Sequence, residues 1–166
     1  MPFTRPFLLC LLSLLLCTCD SAQHMQEIDL SNQVVDVPAD GLGHYVYQLS
    51  LPKTVRAGEE LDIQMDWRTV GPADGRRRYT LDILLDGPAR EVTTFGPRLN
   101  TVGEINLVNW LNHKANVPAD FPTGTYTVAV RLRDPNLGDA PVELGFRPDL
   151  ALSDGFYRVA TVDVVE

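Results

Sequence analysis

Apolar and polar residues alternate along several short stretches of this 166-residue chain, and alternation with a period of two is typical of half-buried β-strands. The clearest stretch is 60–68, where apolar positions run from Leu61 to Trp67 and polar positions lie between them. Residues 79–85 and 126–132 repeat the pattern. Weaker candidates lie at 29–37, 45–51, 90–95, 104–110, 142–146 and 157–165. The pattern therefore predicts about nine short strands.

Turn-forming residues separate these strands, because glycine and proline supply backbone angles that close a turn, as at 73–75 and 122–124. Residues 105–116 have apolar positions at helical spacing, but four asparagines and two β-branched residues disfavour a helix there. We expect a strand up to Trp110 followed by a loop. The fold class predicted is all-β, with about nine short strands in an antiparallel β-sandwich.

Two longer phrases resemble the immunoglobulin-like β-sandwich domains of bacterial surface proteins and of the accessory modules of carbohydrate-active enzymes. In the first, which runs from Leu51 to Trp67, a Pro-x-x-Val-x-x-Gly turn leads into a strand that ends in Trp. In the second, residues 117–132, a Pro-x-Gly-x-Tyr turn leads into a core strand. The resemblance implies an immunoglobulin-like fold over 49–166 and brings no catalytic residues. The disulfide-pinned antibody branch is excluded, because these residues contain no cysteine.

The first residues have the layout of a bacterial export signal. Arg5 precedes an apolar run at 7–16 that is too short for an ordinary membrane span of roughly 20 residues. Leu16 stands three positions before Cys19, and this arrangement resembles the lipobox of bacterial lipoproteins, whose cysteine is lipidated. The resemblance implies a signal peptide at 1–18, lipidated Cys19 with a polar tether at 19–27, and a β-sandwich domain at 28–166. Ordinary cleavage near Ser21 is the alternative.

The mature chain is expected to be acidic and free of disulfides. Without Arg5, 13 of the 14 basic residues remain against 22 acidic ones, which gives a formal charge of −9. Such a balance repels nucleic acid and anionic lipid headgroups, so we expect the membrane to be reached through the lipid anchor. The expected location is the bacterial cell envelope, exposed to the periplasm or the cell surface, with the inner and the outer membrane both open.

No catalytic residues are assigned from the sequence. His24 falls in the tether, and His44 and His113 lie beside turn signals without partners at metal-ligand spacing, so they are expected to be loop residues. Asp62 and Asp66 alternate with core positions and are expected on the solvent-facing side of a strand. We expect no enzyme activity and no cofactor.

Two loops contain residues that could bind an ion or an anionic ligand. Residues 134–139 offer three oxygen-bearing side chains to a hard cation such as calcium, but Asp-Pro-Asn-x-Gly is also common turn chemistry, and no metal site is assigned. Residues 76–78 are three consecutive arginines, which suit an anionic ligand or a solvated loop. In both cases we expect the structural role.

Trp110 is the main candidate for ligand binding. With the amides of Asn109 and Asn112 beside it, the indole has the composition of a sugar-binding surface, where an aromatic face stacks on a pyranose ring. Its apolar neighbours make a core position the favoured interpretation. Trp67 is expected in the core.

Two classes of function remain open. The first is a non-catalytic, membrane-tethered envelope lipoprotein that binds or scaffolds a partner protein through edge strands and loops. The second is a carbohydrate-binding module that uses Trp110 and its neighbouring asparagines. Exposure of the Trp110 indole would favour the second class, and a buried indole would remove its main support.

Overall fold

The computed structural model describes residues 24–35, 43–70, 78–99 and 109–166. Over these ranges it contains ten strands, joined by turns and four 3₁₀ helices of three residues each. The strands are β1 (Met25–Asp29), β2 (Gly43–Pro52), β3 (Thr54–Arg56), β4 (Glu60–Val70), β5 (Tyr79–Asp86), β6 (Arg90–Leu99), β7 (Asn109–Asn116), β8 (Gly124–Asp134), β9 (Ala140–Val142) and β10 (Tyr157–Val165). The 3₁₀ helices are Ser31–Gln33, Pro135–Leu137, Pro148–Leu150 and Ser153–Gly155. Within these ranges, no helix has the length and apolarity needed to cross a bilayer.

The strands form two sheets, which confirms the prediction of an all-β sandwich. The first sheet has four strands in the order β1-β2-β4-β7. The second has six strands, in the order β3-β10-β8-β5-β6 with β9 also paired to β8. Among the described strand pairs, only β3 and β10 run parallel, with Val55 opposite Val164. The sandwich is therefore antiparallel except at that edge.

The core lies between the two sheets and follows the alternation in the sequence. From β4 it receives Leu61, Ile63, Met65 and Trp67, all buried. From β5 and β8 it receives Leu81, Ile83, Leu85, Tyr126, Val128, Val130 and Leu132. Alternate side chains of a strand point to opposite faces, so one apolar face of each sheet is removed from water.

Tyr126 is fixed at the start of β8 by its own turn. Its hydroxyl donates to the carbonyl oxygen of Pro122 at 2.8 Å, and Phe121 stacks on its ring at 4.7 Å. Gly87 lies against this ring, where a Cβ atom would come within 2.9 Å of Tyr126 and 2.8 Å of the Thr125 carbonyl oxygen. The position therefore requires glycine for close approach rather than for an unusual φ.

Three strand predictions are wrong: one at 142–146, where only Val142 belongs to a strand and Phe146 forms an isolated bridge, and two at the ends of the first sheet. Within 29–37, the described residues form only the end of β1, a 3₁₀ helix and a bridge from Val34 to Phe146. Residues 111–116, predicted to be a loop, continue β7 and pair with β4; residues 104–108 lie outside the described ranges. β1 begins at Met25, inside the predicted tether 19–27, because backbone pairing with β2 requires no apolar periodicity.

Candidate functional site

An exposed tryptophan lies on the outer face of the four-stranded sheet. The ladder between β4 and β7 places Asp66 opposite Trp110 and Gln64 opposite Asn112. Even-numbered residues of both strands share the face turned away from the core. We call the group Gln64, Asp66, Arg68, Trp110 and Asn112 the Trp110 face.

The indole of Trp110 is 48 % exposed, so the core interpretation of this residue is wrong. It fails because Trp110 lies on the outward face of β7, whereas Leu111 and Ala115 alternate with it and pack against the core. Trp67 is 1 % exposed, as predicted for a core residue. An exposed indole beside polar side chains offers a flat stacking surface.

The two asparagines predicted to bind a ligand beside Trp110 occupy different positions in the ladder between β4 and β7. Asn112 is exposed and lies two positions along β7 from Trp110, on the same face. Asn109 pairs with Trp67 in the ladder, and its side chain lies outside the described part of the structure. Gln64, which the sequence did not single out, is exposed opposite Asn112. Thus the amides described beside Trp110 belong to Asn112 and Gln64.

Asp66 is only 2 % exposed, so the expectation of a solvent-facing carboxylate is wrong for this residue. Arg68 donates to its Oδ2 from Nε at 3.3 Å and from Nη2 at 3.1 Å. The Arg68 guanidinium also lies 3.4 Å from the ring centroid of Tyr47. Tyr47 is the extra residue of a β2 bulge between Val46 and Gln48, where the ladder to β4 shifts. Neighbouring side chains therefore cover an outward position.

One oxygen of the Asp66 carboxylate has no hydrogen-bond partner among the described residues. No residue in the described ranges donates a hydrogen bond to the buried Oδ1 of Asp66. A buried acceptor without a donor is unusual, because it loses its hydration without replacement. The Trp110 face thus combines a stacking surface with an unsatisfied acceptor on the adjacent strand.

Asp62 lies two residues before Gln64 on the same face of β4, and it is exposed as predicted. Its partner strand supplies Lys114, whose Nζ lies 3.8 Å from Asp62 and 3.2 Å from Glu60. The hydrogen bond to Glu60 and the charges of both carboxylates raise the pKa of Lys114 above its ordinary value. Lys114, Glu60 and Asp62 thus form a solvent-exposed ion cluster next to the Trp110 face.

His44 and His113 are buried strand residues, so the expectation that they lie in loops is wrong. His44 Nδ1 lies 2.9 Å from Thr69 Oγ1 and its Nε2 lies 3.2 Å from the Tyr79 hydroxyl. The His113 ring lies 4.8 Å from that of Phe95, and burial lowers its pKa to about 4. Both rings therefore act in packing.

A second charged cluster, missed from the sequence, lies on the outer face of the six-stranded sheet. Asp82 is fully buried and accepts hydrogen bonds from Arg131 at 2.7 Å, from Arg133 at 2.7 Å and from Thr94 at 2.8 Å. Burial alone would raise the pKa of Asp82, but hydrogen bonds from Arg133, Arg131 and Thr94 outweigh it and lower the pKa. Arg131 also covers the ring of Phe156 at 4.2 Å. The cluster joins β5, β6 and β8. The sequence does contain a signal for this cluster: a carboxylate within an otherwise apolar strand, and two arginines two residues apart in another.

The loop at 134–139 is built as a turn. Asp134 accepts from the backbone N of Asn136 at 2.8 Å and from its Nδ2 at 3.1 Å, and Gly138 adopts a left-handed conformation. Across the described ranges, no three His, Cys, Asp or Glu residues are grouped so as to hold a metal ion. The carboxylate of Asp134 thus serves to cap the short helix that follows it.

Cys19 lies outside the described residues, as do Arg76 and Arg77, whereas Arg78 is exposed. The lipidation site therefore stays a prediction from the sequence. No protein-family model matches this chain, and no curated protein matches it.

Proposed function

We propose that this protein is a non-catalytic binding or scaffolding lipoprotein of the bacterial cell envelope. In this proposal residues 1–18 are a signal peptide, Cys19 carries the lipid, and an immunoglobulin-like sandwich binds a partner outside the cytoplasm. The observation that carries the binding role is the exposure of Trp110 on a polar sheet face. An indole that is half exposed on a sheet is a common anchor for a ligand or a protein partner.

Strand order and the tyrosine turn support an immunoglobulin-like sandwich. Greek-key sandwiches of this type pack two sheets and have a tyrosine near the start of a core strand, whose hydroxyl bonds to the backbone a few residues upstream. Tyr126 bonds to Pro122 in this manner, four residues upstream. The chain crosses from the four-stranded to the six-stranded sheet between β4 and β5, and back between β6 and β7. These crossings are compatible with Greek-key connectivity.

The position of β1 supports a short tether. Five residues, 20–24, separate Cys19 from Met25, and even fully extended they span only about 17 Å. Met25 pairs with Pro52 on one edge of the four-stranded sheet, whereas Trp110 lies on the opposite edge strand. A lipid on Cys19 would hold the sandwich near the membrane by the β1 edge and leave the Trp110 face accessible.

The environments of His44 and His113 support structural roles for these two side chains. A histidine that acts as a general base needs access to the proton it removes. His113 packs on Phe95, and His44 contacts Thr69 and Tyr79 within the core. Their burial is consistent with a structural function for both rings.

Intact mass measurement tests the tether. Protein purified from its native membrane should have the mass of residues 19–166 plus a diacylglyceryl-type modification, and Cys19→Ser should lose that modification. A matched Cys17→Ser variant should keep it. An unmodified chain that begins near Ser21 would overturn the lipoprotein proposal and leave a secreted sandwich.

A carbohydrate-binding function is the second candidate, and the exposure of Trp110 with Asn112 and Gln64 beside it favours this candidate. Indole stacking on a pyranose ring and amide hydrogen bonds to hydroxyl groups would supply affinity and orientation. Retention on insoluble polysaccharides should be lost in Trp110→Ala. Leu137→Ala, which removes another exposed apolar side chain, should bind like the unmodified protein.

A further inference from the structure

We propose that the Trp110 face binds a neutral or amino-substituted glycan, and that Asp66 Oδ1 accepts a hydrogen bond from a hydroxyl or amino group of the sugar. This inference rests on the carbohydrate-binding candidate above. It adds the charge class of the ligand and a residue that recognises it.

The register puts the two groups next to each other. Asp66 and Trp110 are direct partners in the antiparallel ladder between β4 and β7. Direct partners have Cβ atoms about 4.5–5.5 Å apart on the same face of a sheet. A pyranose ring stacked on the Trp110 indole would therefore have its edge within reach of the Asp66 carboxylate.

The carboxylate is held in place, with one oxygen unused. Both hydrogen bonds from Arg68 go to Oδ2, at 3.3 and 3.1 Å, and the guanidinium is itself stacked on Tyr47. Oδ1 has no donor among the residues of the described ranges. A ligand group that donates a hydrogen bond to Oδ1 would satisfy a buried acceptor, whereas an acceptor group such as a carboxylate would be repelled.

Oδ1 has almost no contact with solvent in the free protein, so a neighbouring side chain must move when the ligand binds. The indole of Trp110 is the cross-strand neighbour on the same face and is half exposed, which leaves it space to change rotamer. Ligand binding should therefore change the environment of Trp110 and its fluorescence, while that of buried Trp67 stays constant.

The charge of the surrounding sheet also disfavours an acidic glycan. Strands β1, β2, β4 and β7 carry five carboxylates and two cationic side chains, which is a formal balance of −3. The carboxylates are Glu27, Asp29, Glu60, Asp62 and Asp66, and the cations are Arg68 and Lys114. Both cations already contact carboxylates of this sheet, so neither supplies an unopposed positive charge for a uronate or sulfate group.

Binding of the mature protein to an array of neutral, amino-substituted and uronic or sulfated glycans tests the inference. The variants are Trp110→Ala with Leu137→Ala as its control, and Asp66→Asn with Asp62→Asn as its control. We expect neutral or amino glycans to bind, at least tenfold weaker binding in Trp110→Ala and Asp66→Asn, and binding within twofold of the unmodified protein in both controls. Urea unfolding of each variant separates lost binding from lost structure.

Results that differ from these expectations overturn separate parts of the proposal. If no glycan binds, the carbohydrate-binding function itself is overturned. If acidic glycans bind best and Trp110→Ala abolishes this, the carbohydrate function stands and the inference on charge is overturned. If Asp66→Asn folds and binds like the unmodified protein, the role of Oδ1 is overturned.

Discussion

Acid should destabilise this protein through His113, whose imidazole is buried against Phe95. Burial lowers the pKa of His113 from its ordinary value of 6.5 to about 4, because the charged form loses its hydration. Between these two values the unfolded chain binds more protons than the folded protein. The stabilisation is therefore complete above pH 6.5, falls as the pH decreases through this window, and stops changing below about pH 4. The difference between the two pKa values corresponds to about 3 kcal/mol of unfolding free energy.

Urea unfolding at about pH 7 and about pH 4.5 measures this effect, and the unmodified protein should lose about 2 kcal/mol between them through His113. His113→Leu removes the titrating group while it keeps an apolar side chain of similar size, so most of that loss should disappear. His24→Ala, which changes an exposed histidine, should retain the loss. An equal loss in His113→Leu and in the unmodified protein would refute the reasoning and assign the acid sensitivity to other groups.

Four further predictions concern the core and the two outer faces. Trp67→Ala should lower the unfolding free energy by about 3–5 kcal/mol in urea titrations, whereas Trp110→Ala should lower it by less than about 1 kcal/mol. Iodide should quench the fluorescence of Trp110 but not that of Trp67, so Trp110→Phe should leave an emission that iodide barely affects. Asp82→Ala should cost about 3–5 kcal/mol, because two partly buried arginines lose the buried carboxylate that pairs with both of them, and a cost under about 1 kcal/mol would contradict that role. Tyr126→Phe should cost about 1 kcal/mol, since it removes one hydrogen bond.

The strands that could be predicted best from the sequence are those in which core-facing apolar residues recur at every second position. β4, β5, β8 and β10 cover the predicted stretches 60–68, 79–85, 126–132 and 157–165, because alternation records which side chains enter the core. β1 and β7 are edge strands of polar composition, and they are held by backbone pairing with β2 and β4. Backbone pairing leaves little trace in the side chains, so their bounds could not be predicted.

For the candidate site, the sequence points to an aromatic residue with neighbouring amides but does not show what surrounds them in the fold. Trp110 and Asn112 were singled out by composition, and the ladder brings them together on one face. Their exposure could not be predicted, because apolar residues lie on both sides of Trp110 in the sequence. Gln64 and Asp66 join them from β4, which is more than 40 residues away along the chain, and only the register between β4 and β7 makes that contact.

Outward-facing residues of a strand are not necessarily exposed, and the two sheets show why. Asp66 and Asp82 both lie on outer faces, yet both are buried because arginines cover them. The arginines on Asp82 come from β8 and, with Thr94, leave neither oxygen of Asp82 unpaired. The single arginine on Asp66 leaves Oδ1 unpaired beside an exposed indole. The Asp82 cluster is complete and joins strands, whereas the Asp66 carboxylate retains an acceptor that a ligand can satisfy.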